Sequence, residues 1–245
     1  MKRRLKPGLL IVMMLLLQTC KKPTENIKLI VDTDILKYTA LIYVTDGTDG
    51  GPAPADAEIK ITGTAAEDIY ELSGKKDINL SAGIVTIGLA PDIVPTEDSP
   101  VKANVEISAA GYRKEIREIV FTGVQKQQII PIPISKNGST APPVIAPPPT
   151  VYDQIISLNF TGRCPARQDL EIRPSVYLFF REHNIGGSFQ YLGYLDKGRI
   201  STKYLLAGKT YDFQVVFGGE VYQVSQKIEQ LSYDLTMDMP AACNL

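Results

Sequence analysis

Residues 211 to 228 read YDFQVVFGGEVYQVSQKI, two runs rich in β-branched and aromatic side chains around Gly218-Gly219. Val, Ile, Tyr and Phe favour extended backbone, and a Gly-Gly pair between two such runs supplies the positive φ angles of a tight hairpin. Strands are therefore expected at Tyr211 to Phe217 and Val221 to Ile228. Working outward within residues 151 to 245, similar short runs occur at Gln154 to Phe160, Ser175 to Arg181, Ser188 to Leu195 and Ile200 to Leu205. Upstream they recur at Ile27 to Val31, Ala40 to Val44, Glu58 to Thr62, Ile84 to Leu89, Val101 to Ala109, Ile116 to Phe121 and Ile129 to Ile134. Gly, Pro, Asp and Asn bound them. No stretch after the first twenty residues keeps an apolar stripe at helical spacing for three turns, so no long helix is expected. The pattern predicts an all-β protein of antiparallel, Ig-like sandwiches, with Pro131 and Pro133 confining the last upstream run to a sheet edge.

Lys136 to Thr150 (KNGSTAPPVIAPPPT) holds five prolines in fifteen residues and no alternation. It reads as a linker between a sandwich at 27–135 and a second at 151–245. Polyproline II geometry would make it a semi-rigid spacer holding the two bodies roughly 30 Å apart. Five of the nineteen aromatic residues precede Thr150 and fourteen follow it, so the modules are not copies of one repeat.

The chain opens with Lys2, Arg3, Arg4 and Lys6, followed by nine consecutive apolar residues from Leu9 to Leu17. That run is too short to cross a hydrocarbon core of about 30 Å as a helix, and has the make-up of a signal peptide spanning 1–19. Leu17-Gln18-Thr19-Cys20 resembles the lipobox of bacterial lipoprotein precursors, in which the thiol at the Cys20 position receives diacylglycerol before cleavage. Thr19 stands where that family usually has Gly, Ala or Ser. The resemblance implies palmitate-type acylation of Cys20, a tether at 20–26, and membrane anchoring; Lys21, not Asp, after the Cys implies the outer membrane. An ordinary secretory signal is the competing reading.

Export also bears on the remaining thiols, Cys164 and Cys243. An oxidising compartment and an even count suggest one disulfide between them, whose long loop would be worth roughly 4 kcal/mol. Two separate thiols would follow if the signal reading failed.

Two further resemblances concern the modules. Gly51-Pro52, the strand Ala57 to Gly63 (AEIKITG), the strand at Gly83 to Leu89 and the turn Ala110-Gly111-Tyr112 resemble the carboxypeptidase-regulatory or transthyretin-like fold. That resemblance implies a non-catalytic seven-stranded sandwich used as a spacer or interaction domain. Leu206 to Val215 (LAGKTYDFQV) resembles the tyrosine-corner segment of fibronectin type III sandwiches, with Gly208 where that family has Pro. It implies that the Tyr211 hydroxyl bonds a backbone group upstream while the ring caps the core.

Composition narrows the function. One His, three Cys and no Trp leave little material for metal clusters or His-dependent nucleophiles, so no cofactor is expected. The formal charge of −1 falls to −5 once the first nineteen residues, with four basic groups, are removed, leaving 22 basic against 27 acidic side chains. That balance argues against a nucleic-acid partner. Asp46, Asp49 and Asp56 in DGTDGGPAPAD, with Asp32 and Asp34 nearby, offer oxygen ligands for calcium, but Asp-Gly pairs are turn formers in their own right. His183, in EHNIGG, reads as a turn residue, and no catalytic motif occurs. Tyr177, Phe189, Tyr191 and Tyr194 fall on neighbouring predicted strands and are the candidate ligand-binding rings, either packed in a core or stacking on sugars. The sequence thus predicts a non-enzymatic, lipid-anchored envelope protein that contacts a protein partner, with glycan binding in polysaccharide uptake as the alternative.

Overall fold

A computed structural model describes residues 29–145 and 147–244. The signal segment, Cys20 and the tether lie outside the described residues.

Sixteen strands are present among them: β1 (Leu29–Asp32), β2 (Thr39–Asp46), β3 (Glu58–Thr62), β4 (Ile69–Glu71), β5 (Ile84–Leu89), β6 (Val101–Ser108), β7 (Glu115–Phe121), β8 (Gln127–Ile134), β9 (Ile156–Cys164), β10 (Arg167–Arg173), β11 (Tyr177–Glu182), β12 (Gln190–Tyr194), β13 (Arg199–Thr202), β14 (Thr210–Phe217), β15 (Glu220–Lys227) and β16 (Ser232–Asp238). The only helical elements described are short 3-10 turns, one of them at Pro240–Asn244.

The first sandwich packs the sheet β4-β5-β2-β8 on the sheet β3-β6-β7. Ala40, Ile42 and Val44 of β2 meet Val105 and Ile107 of β6 and Phe121 of β7 in its core. β8 is at the sheet edge, paired in parallel with β2 so that Pro131 lies opposite Tyr43 and Pro133 opposite Thr45. An edge tolerates the two missing N–H donors.

The second sandwich packs β12-β11-β14-β15 on a five-stranded sheet, β1-β10-β9-β13 with β16 on the other side of β9. Phe160, Phe213, Phe217, Tyr233 and Leu235 belong to its core. The Gly218-Gly219 hairpin forms as expected, with φ of 66° and 80°. The Tyr211 ring is buried and its hydroxyl accepts the Leu206 N–H at 3.0 Å. Replacing Tyr211 by Phe should therefore lower stability by about 1 kcal/mol, the net worth of one backbone hydrogen bond, with the fold retained. Urea unfolding of the two proteins measures it.

The fold is all-β, with two sandwiches and a Pro-rich linker, but the assembly departs from the sequence expectation in three ways. The strand expected at Ile27 to Val31 to belong to the first module is β1, and it pairs in parallel with β10 of the second, Leu29 opposite Leu170 and Val31 opposite Ile172. Asp32 and Thr33 then hold Ser175, whose hydroxyl donates to Asp32 Oδ1 at 2.8 Å and whose N–H donates to Thr33 Oγ1 at 2.7 Å. Among the described residues the first sandwich still has seven strands, because β4, too short to stand out in the sequence, adds to the sheet edge beside β5.

The pairing is also not wholly antiparallel. β1 with β10, β2 with β8 and β16 with β9 run parallel.

The third departure is the linker, which does not act as a 30 Å spacer. Val144 N–H donates to Gly47 O at 2.8 Å and Asn137 N–H to Gly111 O at 2.8 Å, so this segment runs along the first sandwich. The two bodies touch directly: Leu41 and Ile84 pack with Tyr177, Phe179 and Val216, and Leu72 enters the second core. Removing that apolar surface from water outweighs the stiffness of the prolines.

Candidate functional site: the face between the sandwiches

Side chains alternate across a strand, so each inner strand of the second module serves two surfaces. On β11 and β14, Leu178, Phe180, Phe213, Val215 and Phe217 point into the second core. Tyr177, Phe179, Arg181, Asp212, Gln214 and Val216 occupy the alternate positions, which form the face turned to the first sandwich. β2 and β5 do the same from the other side: Ala40, Ile42, Val85 and Ile87 enter the first core, while Leu41, Tyr43 and Ile84 face the second module. A sheet covered on both faces explains why nearly every residue of β14 is buried.

The four candidate rings sit on this face. Tyr177 is buried and Phe189, Tyr191 and Tyr194 are half-buried, all against Leu41, Tyr43 and Ile84 or their neighbours. Tyr177 meets Tyr194 edge-on at 5.2 Å and 77°, and Phe179 meets Tyr191 at 6.0 Å and 68°. Burial pushes the phenols of Tyr43, Tyr177 and Tyr194 up, and that of Tyr191 to about 12. Sugar recognition by stacking needs coplanar rings facing water, whereas these are steeply inclined to one another and packed between modules.

Polar contacts complete the junction. Tyr43 O–H donates to Phe189 O at 2.9 Å, Ser81 O–H to Gly219 O at 2.5 Å, and Gly218 N–H to Glu71 Oε1 at 3.1 Å. Glu71 is almost wholly buried and also takes the N–H and hydroxyl of Ser73, so its carboxylate closes the β14-β15 hairpin onto the first module.

At one end of the face the surface turns ionic. Asp212 is buried and accepts from His183 Nδ1 at 2.6 Å, Ser225 Oγ at 2.6 Å and Arg181 Nε at 3.2 Å. Arg181 also lies over the Phe189 ring, 4.4 Å from its centroid. The lone histidine does sit in a turn beyond β11, yet the sequence did not indicate its partners, because they come from β14 and β15. The set holds Ser, His and Asp without the geometry of nucleophilic catalysis. Ser225 gives its proton to Asp212 Oδ1, the same oxygen that holds His183, instead of presenting it to the imidazole.

Burial raises the Asp212 pKa, but the hydrogen bonds from Ser225, His183 and Arg181 outweigh it and hold the carboxyl below the usual aspartate range. A depressed folded pKa means stability that is fully present above the unfolded value and lost as pH falls through the folded one. The acid limb of unfolding, below about pH 4, should therefore be shallower in Asp212→Asn than in the wild type. Thermal unfolding across pH 2 to pH 6 gives the slope, and equal slopes would show that this carboxylate is not held ionised.

The acidic loop that offered calcium ligands is occupied by the protein itself. Asp46 Oδ2 accepts from the Tyr112 hydroxyl at 2.6 Å and its Oδ1 from Thr48 N–H; Asp49 takes Gly51 N–H and Asp56 takes Ala110 N–H. The hydrogen bond to Asp46 pushes the Tyr112 phenol up to about 12. Thr48 and Gly51 thus close local turns on Asp46 and Asp49, Tyr112 and Ala110 tie the loop to a distant turn, and no group of three or more potential metal ligands occurs among the described residues.

The disulfide joins Cys164 and Cys243, with Cα atoms 5.3 Å apart. It ties the end of β9 to the 3-10 turn after β16, next to buried Met239 and Ala242.

No family model matches the chain, and no curated protein does. Among solved structures, it is similar to the Bacillus anthracis TIE protein, at 11% identity over 83% of this chain and 34% of that one, with a TM-score of 0.26. It is also similar to BcpA, the major pilin subunit of Bacillus cereus, at 12% identity over 84% of this chain and 61% of that one, with a TM-score of 0.22. The chain spans less than two thirds of the length of either neighbour.

Proposed function

We propose that this chain is a lipid-anchored protein of the cell envelope, held in the outer membrane through Cys20, whose two sandwiches form a non-enzymatic structural or interaction body for a protein partner. The observation that carries the reading is the way the sandwiches interlock. β1, the described strand nearest Cys20, belongs to the sheet of the second module, while the chain between β1 and β9 builds the first. A pull on a lipid anchor would thus be taken up by the sheet that also carries β9, β16 and the disulfide. Inclined, interface-packed rings and a Ser-His-Asp set without a presented nucleophile leave scaffolding better supported than sugar binding or catalysis.

Cys20→Ser tests the anchor. The variant should leave the membrane fraction, and a protein that stays there while still losing its first nineteen residues would overturn anchoring. Cross-linking and pull-down of the full-length protein from its own envelope, run beside a glycan array, test the partner. A stoichiometric protein with a silent array is the expected result. Sugar binding that falls with Tyr191→Ala, and no co-purifying protein, would replace this reading by glycan recognition.

A further inference from the structure

We propose that the cleft between the sandwiches, where Arg181 and Gln214 of the second module face Tyr43 and Ile84 of the first, binds a small amphiphilic carboxylate. The cleft has a volume of about 290 Å³, and its lining includes Tyr43, Ile84, Phe189, Arg181, Gln214 and Gln223. The lining thus combines apolar and ring-bearing side chains, Tyr43, Ile84 and Phe189, with the donors Arg181, Gln214 and Gln223.

Gln214 points to the ligand. It is 1% exposed, flanked in the sheet by Phe179 and Gln223, and its Oε1 accepts from Gln223 Nε2 at 2.7 Å. With that oxygen engaged, the amide nitrogen is left as the donor, and Nε2 is a buried side-chain atom without a hydrogen-bond partner in the protein. A buried amide N–H without an acceptor is costly, and native structures rarely retain one without a reason. An acceptor entering the cleft would satisfy it.

Arg181 makes a carboxylate the fitting acceptor. Only its Nε is engaged by Asp212, and its guanidinium carbon lies 4.4 Å from the Phe189 ring centroid. A guanidinium carries five N–H donors, so terminal groups remain to pair with an anion, and Asp212 already shares its charge with His183 and Ser225. The volume is far beyond the roughly 30 Å³ of one water molecule, and Tyr43, Ile84 and Phe189 would cover an apolar body.

Calorimetric titration of the purified full-length chain with 3-phenylpropionate, octanoate and N-acetylphenylalanine tests the proposal and separates an aryl acid, an alkyl acid and a peptide C-terminus. At least one should bind saturably at a millimolar Kd or better, and protect segments 177–194 and 210–227 from hydrogen exchange. The amide of the tightest acid, which can meet Gln214 but not pair with Arg181, should bind about tenfold more weakly. Gln214→Leu and Arg181→Met should each weaken the acid by a similar factor; if the first does not fold, the second decides. No saturation with any acid up to about 10 mM, equal binding of acid and amide, or unchanged affinity in a folded variant would overturn it. None of these readouts depends on the lipid anchor or on a protein partner, so the cleft and the envelope role can fail separately.

Discussion

Phe179→Ala is expected to remove about 3–5 kcal/mol of stability and to uncouple the two sandwiches. Phe179 is fully buried, yet it is not part of the core of its own module; it packs with Leu41 and Ile84, and its ring lies 5.6 Å from that of Tyr43. The cavity left by alanine would open at the junction, where two separately built cores can part instead of collapsing around it. The wild type should unfold in one calorimetric transition and the variant in two. Phe180→Ala is the matched control, since its side chain points from the same strand into the second core. It should destabilise the second module without separating the transitions. A loss under about 1 kcal/mol for Phe179→Ala, with one transition retained, would show that docking does not depend on this face.

Removing the disulfide should have a comparable effect by a different route. Cys164 and Cys243 are 79 positions apart, and the chain-entropy model assigns closure of a loop that long about 4 kcal/mol. The loop contains every strand of the second module from β10 to β16, so the link restricts the unfolded ensemble of that module and leaves that of the first nearly unchanged. Cys164→Ser with Cys243→Ser should lower the unfolding free energy by about 2–4 kcal/mol and expose the C-terminal 3-10 turn to rapid hydrogen exchange. Reduction of the wild type should reproduce the loss. A shift below about 1 kcal/mol in both would mean that β9–β16 pairing alone holds the end of the chain.

The strands the sequence revealed were those whose apolar side chains alternate or run together between turn residues. β3, β5, β6, β7 and the β14-β15 hairpin lie close to the expected ranges. Three strands lie outside the expected ranges. β4 has only three residues; β10, reading RQDLEIR, shows just Leu170 and Ile172 among charges; β16 alternates Tyr233, Leu235 and Met237 with polar residues, a period legible in the sequence. The candidate rings were found as residues but not as an interface. Alternation tells which side chains share a face of a strand, and not what covers that face.

One thing was therefore settled by the sequence alone. The β-branched runs, Gly-Gly turn and Pro-rich seam dictate two groups of strands, because those residues restrict backbone torsions locally. The two downstream cysteines allowed either a disulfide or separate thiols, and the structure joins them. The tertiary structure alone decided that β1 crosses to the second sheet, that the linker runs along the first sandwich, and that Phe179, Asp212 and Gln214 look into a junction rather than into water. The crossing of β1 and the packing of Phe179 depend on which apolar surfaces meet across about a hundred residues of chain or more. That is a property of the whole packed molecule, and hydrophobic attraction, being non-directional, leaves no local signature of its partner.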